Sequence, residues 1–292
     1  MHFSEGAFWR PLFEGNVAML QVASGCSHNS CKFCDMYNAP FVASPLSEVS
    51  ADIDELASYP IHPPRIFLTG GNAFHLDSDV LLKIAGELRE KMPELKSIGC
   101  FARVEDIWEK SDEELAALTE AGFDMISIGA ESGDDEALAR MNKGHTASDI
   151  VEQCTRLDNA GIRYAFFYLA GIAGKGHGIE NARKTSEVFS QVNPAIIMIH
   201  TMTPFRGTPL AAEIESGEFE QEPEVEILRE LREFYAIYPK PVRMLASHYA
   251  NTACFDGLIP DHREQILELM DKRIETADED RLEIFRRSIK SI

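Results

Sequence analysis

Three of the six cysteines crowd into nine positions: Cys26, Cys31 and Cys34, spaced C-x4-C-x2-C. They lie in Gly25-Cys26-Ser27-His28-Asn29-Ser30-Cys31-Lys32-Phe33-Cys34-Asp35-Met36-Tyr37. Such crowding is a ligand pattern, not the spread of a disulfide framework. Three thiolates on one loop can hold three irons of a [4Fe–4S] cubane. A fourth cysteine would close an electron-transfer cluster, and none lies nearby, so the fourth iron stays open to a ligand. Two blander readings stand beside this one. His28 could complete a zinc site with the three thiolates, or Cys31 and Cys34 could form a C-x-x-C redox pair. The first is cramped, and the second leaves Cys26 unused.

The elements around the loop follow from apolar runs and breaks. Near-continuous runs at 19–23, 65–69, 97–101, 125–129, 164–170 and 195–201 read as buried parallel strands. Amphipathic segments alternate with them. Ser111-Asp112-Glu113-Glu114 reads as a capping box whose helix stops at Gly122, and Thr146 opens another that stops at Gly161. One β/α unit every ~30–35 residues is the spacing a βαβ repeat needs. Six units predict an α/β fold, a partial (β/α)6 TIM-like barrel over residues 1–210; a doubly wound sheet is the competing arrangement. The cysteine loop follows the first strand, at the barrel face where active sites sit. Residues 211–292 are expected to be a C-terminal helical extension packed on the barrel, with a helical, acidic 208–238, a short strand and a loop within 241–257, and one or two terminal helices over 260–291.

Lys and Arg total 28 against 48 Asp and Glu, a net charge of −20 spread along the chain. That balance repels phosphate backbones and argues against a general nucleic-acid binder. No run reaches the ~18 apolar residues of a membrane span. The opening MHFSEGAFWRPLFEG lacks the basic and apolar regions of a secretory signal. The expectation is a soluble cytoplasmic protein without a membrane partner.

The loop resembles that of the radical S-adenosylmethionine (radical SAM) enzymes, whose usual motif is C-x3-C-x-aromatic-C. Phe33 stands at the aromatic position, and this chain has one extra residue between the first two cysteines. Thr69-Gly70-Gly71-Asn72 resembles the family's Gly-Gly-Glu segment that receives the methionine amino group, with Asn72 in place of the acid. Gly129-Ala130-Glu131-Ser132-Gly133 and Arg140-Met141-Asn142-Lys143-Gly144-His145-Thr146 are similar to segments in the branch related to anaerobic coproporphyrinogen oxidase and to tRNA-modifying radical enzymes. There, residue 131 sits near the SAM ribose and residue 143 near its carboxylate. Leu169-Ala170-Gly171-Ile172-Ala173-Gly174 resembles the adenine-contacting turn, and Thr203 to Leu210 is also similar to that branch.

The resemblance implies a [4Fe–4S] cluster on Cys26, Cys31 and Cys34. It implies SAM held by Phe33, Gly70, Gly71, Asn72, Glu131, Ser132, Lys143 and Gly171. The activity it implies is reductive cleavage of SAM to a 5′-deoxyadenosyl radical, which abstracts hydrogen from a small or compact substrate. An electron donor such as flavodoxin or ferredoxin would supply the electron. The alternatives are a non-catalytic zinc or iron–sulfur sensor and a radical SAM methyl-transferring enzyme.

Three further residues are weak catalytic candidates. Cys100 ends the third strand, where a thiol could donate hydrogen, although a lone strand cysteine is usually packing. Tyr168 shares a strand face with Tyr164, Phe166 and Ala170, a stripe that lines either a cavity or the core. His200 ends the sixth strand and could act as acid or base. Arg206 could hold a carboxylate or pair with acids. Cys154 reads as packing, Cys254, alone in the tail, cannot hold an auxiliary cluster, and the Glu-rich run 213–233 reads as a solvated helix face.

Overall fold

The apolar runs become strands, and the capped amphipathic runs become helices. A computed structural model of the protein describes residues 1–2, 8–37 and 39–290. The sequence reading of the opening stretch falls partly on residues 3–7, outside the described residues.

In chain order the elements begin with β1 (Ala18–Gln21), β2 (Ala23–Ser24), β3 (Val42–Ala43), α1 (Leu46–Ala57), β4 (Arg65–Thr69), α2 (Ser78–Lys91) and β5 (Ser97–Ala102). Next come α3 (Val104–Trp108), α4 (Asp112–Glu120), β6 (Ile126–Glu131), α5 (Asp135–Arg140), α6 (Ala147–Ala160) and β7 (Tyr164–Ala170). The chain continues with α7 (Gly178–Phe189), β8 (Ile196–Thr201), α8 (Pro209–Ser216) and α9 (Glu224–Ile237). It ends with β9 (Val242–Leu245), β10 (Gly257–Ile259), α10 (Arg263–Glu275) and α11 (Glu279–Ser288). Two short 3-10 turns, Leu12–Glu14 and Ala73–His75, complete the set.

Eight strands form one mostly parallel sheet in the order β1-β4-β5-β6-β7-β8-β9-β10, with β2 and β3 as a separate antiparallel ribbon. Leu20 lies opposite Leu68, Leu68 opposite Cys100, and Leu169 opposite His200, all in parallel register. The strand order never reverses, as it would in a doubly wound sheet. The sheet has two free ends, β1 and β10, so it is a partial barrel and not a closed one. All six expected strands form. Ile66, Phe67 and Leu68 are buried, as in a parallel strand covered on both sides.

Beyond residue 210 the short strand expected within 241–257 forms as β9, which pairs parallel with β8, and a second strand, β10, pairs antiparallel with β9. Exposed Arg243 stands between buried Val242 and Met244. The helical, acidic stretch expected over 208–238 forms as two helices. The left-handed Gly217 ends α8, and Pro223 precedes α9.

By compactness the chain divides into two units. Unit 1 is Met1–Asn29, Met36–Gly129 and Thr155–Tyr164; unit 2 is Ser30–Asp35, Ala130–Cys154 and Ala165–Ile292. In unit 1, α1 packs on α2, and Arg65 makes two 2.6 Å bonds to buried Glu14. The Ser111–Glu114 capping box is formed. In unit 2, α9 lies along α7 and α10. Phe166 and Tyr168 place their rings against Phe189 of α7, and Tyr168 also meets Phe234 of α9.

The end of β4 meets the start of the cysteine loop at two glycines. Gly70 and Gly71 have φ of 104° and 136°. A Cβ at Gly70 would overlap the Ala23 carbonyl, and one at Gly71 the Gly25 carbonyl. Only glycine allows both the dihedral and the approach. Gly71→Ala should therefore destabilise the protein by at least ~2 kcal/mol. Denaturant unfolding of the two proteins measures this, and equal stability would contradict the close approach.

Candidate functional site

Unit 1 holds the first part of the cysteine loop with side-chain amide and backbone bonds. The Cys26 N–H donates to the Ala39 carbonyl at 3.1 Å. Buried Asn72 accepts the Ser27 N–H at 3.0 Å and donates to Ser27 Oγ at 2.8 Å. Its Nδ2 also lies 3.0 and 2.8 Å from the two carboxylate oxygens of Asp106. Asp106 accepts the Arg103 N–H at 2.7 Å as well. Residue 72 must donate to one neighbour and accept from another, which an amide does and a carboxylate does not. An acid there would also face the Asp106 charge. The longer cysteine spacing contains one left-handed residue, Asn29 with φ 45°, a type that tolerates that conformation.

His75 stands beside this network. Its Nδ1 is 3.2 Å from Asp106 Oδ1 and 3.2 Å from Glu109 Oε2. The hydrogen bond to Asp106 raises the imidazole above its ordinary value, against the opposing effect of burial. The imidazole thus faces two carboxylates, one of which already accepts from Asn72 and the Arg103 N–H.

Unit 2 holds Cys31 and Cys34. The Lys32 N–H donates to the Met141 carbonyl at 3.1 Å, and the Lys32 carbonyl accepts the Leu210 N–H at 2.9 Å. Asn142 Nδ2 donates to the Ser30 carbonyl at 2.9 Å. Lys32 Nζ pairs with Glu213 at 2.5 Å, and Arg140 takes the other Glu213 oxygen at 2.9 Å. Phe33 packs on an apolar cluster of Ala137, Met141, Leu169, Ile172, Met202, Leu210 and Phe219. Buried Lys143 places its Nζ 5.9 Å from the Phe33 ring centre and 3.4 Å from Glu131 Oε1. Glu131 ends β6 with φ 65°, an unusual dihedral for a side chain of that size. Phe33, Glu131 and Lys143 are thus brought together. Cys26, Cys31 and Cys34 are all half-buried, and no described cysteine is in a disulfide.

The Radical SAM superfamily matches this chain over residues 20–186. The chain belongs to the radical SAM superfamily. Members of the superfamily are enzymes that carry [4Fe–4S] clusters and bind SAM. The threonylcarbamoyladenosine tRNA methylthiotransferase MtaB of Rickettsia prowazekii is 29% identical over 158 residues, 50% of this chain and 36% of that protein. The chain therefore spans about a third of the length of that curated relative. The radical SAM methyltransferase TsrM of Kitasatospora setae, solved with cobalamin and a [4Fe–4S] cluster, superposes with a TM-score of 0.57. It is 18% identical, and the overlap covers 70% of this chain and 37% of that one. Methylornithine synthase (PylB) gives a TM-score of 0.55 at 14% identity, over 92% of this chain and 85% of that one. Both structures show the shared fold. No helix among the described residues is long and apolar enough to cross a membrane.

Against this radical SAM scaffold, the weak catalytic candidates lie in packed surroundings. Cys100 is fully buried, and burial, followed by the Asp106 charge, pushes its thiol far up, so it stays neutral. The Tyr168 stripe is core: its ring faces α7 and α9, and its hydroxyl donates to Glu230 at 2.5 Å. His200 stacks on His248 with ring centres 4.4 Å apart and meets Phe167 edge-on. Burial and the His248 charge push it down to about 3, so it is a neutral imidazole near pH 7. Arg206 is exposed, Cys154 is buried and Cys254 is exposed.

The reading of 213–233 as a solvated face does not hold. Glu222, Glu224 and Glu230 are buried. Glu224 pairs with buried Arg286 at 2.7 Å. Glu230 accepts bonds from Tyr168, Asn181 and the Gly171 N–H. One sequence signal marks Glu230: it sits on the apolar face of α9, between Ile227 and Phe234 at helical spacing.

Glu222 hydrogen-bonds Glu230, and burial together with the Glu230 charge pushes it up to about 10. It therefore keeps its proton in the fold at pH values where the unfolded chain, near 4.5, has lost it. Folding then binds a proton, so stability falls as pH rises from about 4.5 toward 10. Glu222→Gln removes this dependence. Its melting temperature relative to wild type should be higher at about pH 9 than at about pH 5. Thermal melts across that range check it, and a pH-independent difference would contradict the assignment.

Proposed function

We propose that the protein is a radical SAM enzyme in which Cys26, Cys31 and Cys34 hold a [4Fe–4S] cluster. The observation that carries this reading is the fixing of Ser30–Asp35 through both main-chain groups of Lys32, with Phe33 and Lys143 beside it. Half-buried thiols outside any disulfide, on backbone fastened by hydrogen bonds at Ser30 and Lys32, fit a cluster that must not be reshaped on reduction. When bound, the cluster and SAM supply reductive cleavage of a sulfonium bond and hydrogen abstraction from the substrate.

The chain's own residues bind, orient and exclude water. Lys143 carries a buried ammonium whose carboxylate partner lies at a long 3.4 Å, and in this reading it takes the SAM carboxylate. Glu131 serves the ribose and Gly171 the adenine, while Ser132, fully buried with its hydroxyl on Asn181 and the Asp134 N–H, shapes the turn beside Glu131. Gly70, Gly71 and Asn72 act by holding the Gly25–Ser27 segment, which keeps the SAM-facing side of the loop in place. The Phe33 cluster keeps solvent off the loop. The charge of −20 favours a compact substrate over a phosphate backbone. A reductant such as flavodoxin or ferredoxin, in a reducing cytoplasm, completes the setting.

Anaerobic reconstitution with iron and sulfide tests the reading. Wild type should yield 5′-deoxyadenosine from SAM under dithionite, and Cys31→Ala should lose both the cluster absorbance and the cleavage. Full cleavage by Cys31→Ala would sink the assignment. S-adenosylhomocysteine or methylthioadenosine as the product would mark methyl transfer instead, and zinc in place of iron would mark a sensor. Lys143→Met should keep its iron and bind SAM roughly tenfold or more weakly.

A further inference from the structure

One carboxylate in unit 2 reaches two turns that are far apart in the chain. Glu230 is fully buried on α9. Its Oε2 accepts the Gly171 N–H at 2.7 Å, in the turn after β7. Its Oε1 accepts Tyr168 OH at 2.5 Å and Asn181 Nδ2 at 2.6 Å. Asn181, on α7, turns its carbonyl oxygen to Ser132, whose hydroxyl donates to it at 2.5 Å. Ser132 Oγ also accepts the Asp134 N–H at 2.9 Å, and the Gly133 N–H donates to Thr185 Oγ1 at 2.9 Å. A Cβ on Gly133 would press into the α7 backbone. The turn after β6 is therefore clamped to α7, and through Asn181 to the same carboxylate.

Burying a carboxylate is costly, and an apolar residue would pack α9 as well. What an apolar residue does not provide is a fixed acceptor for the Gly171 turn and for Asn181, which carries the link on to the Ser132 turn. We propose that Glu230 is the positioning residue of the SAM pocket: it sets the Gly171 and Ser132 turns in mutual register for the adenosine end of SAM. This rests on the functional reading above. Glu222 assists by donating a fourth hydrogen bond to the same group.

Glu230→Gln is the test, in reconstituted protein, with SAM as the probe. Glutamine keeps one carbonyl oxygen, so it can accept from Gly171 or from Tyr168 and Asn181, but not from both. Iron content and the cluster spectrum should match wild type. SAM affinity by equilibrium dialysis should fall about tenfold, and amide hydrogen exchange should quicken at both 131–134 and 169–174. Asn181→Ala should quicken exchange at 131–134 alone. Leu231→Ala, on the same helix, should lower the melting temperature and leave SAM affinity within about twofold. A Glu230→Gln protein that binds SAM as wild type does, or weakens only as Leu231→Ala does, overturns the proposal alone. A wild type that holds the cluster and binds no SAM overturns the functional reading, and the proposal falls with it.

Discussion

The peptide groups of Lys32 are the constraint on which the loop depends. Its N–H goes to Met141 and its carbonyl to Leu210, so both main-chain groups between Cys31 and Phe33 are committed. A half-buried loop needs such partners, because unpaired backbone polar groups are expensive. Phe33 then adds apolar contact with the cluster around Met141 and Leu210. The residues that fix the loop come from 140–143 and 208–213. Those stretches therefore hold the cysteines in place as well as carrying polar groups of their own. Arg140 and Lys32 share Glu213, which ties both stretches together at the surface.

Electrostatics divides in two. Most of the net charge of −20 is spread over solvated faces, where it sets long-range behaviour and contributes little to stability. A few charges are buried, and each has a specific partner. Glu14 meets Arg65, Glu224 meets Arg286, and Asp106 meets Asn72 and His75. Glu230 has only neutral donors around it; burial raises its own carboxyl, and that of Glu222, which donates to it. Removing one partner from any of the charged pairs leaves a buried charge uncompensated, which is far more costly than losing a surface pair.

The strands were legible because buried parallel strands write themselves as continuous apolar runs. The expected 65–69 and 164–170 coincide with β4 and β7. The cysteine spacing and the 140–146 motif were legible because they are local. What stayed hidden depends on partners far along the chain. Tyr168, Gly171 and Asn181 meet Glu230 across 62, 59 and 49 residues; helical spacing puts Glu230 on the apolar face of α9 but does not show which groups it meets there. Asn72 is similar: its replacement of an acid makes sense only once Asp106, 34 residues later, is seen beside it. Strand β10, only Gly257–Ile259, is too short for its sequence to carry a pattern.

The central claim is that the three cysteines leave one iron open to SAM. Electron paramagnetic resonance of the anaerobically reconstituted, reduced protein, recorded with and without SAM, tests it most directly. The account predicts a cubane signal whose g-values shift when SAM is added. A cluster signal indifferent to SAM, or a protein that holds only zinc, would contradict it.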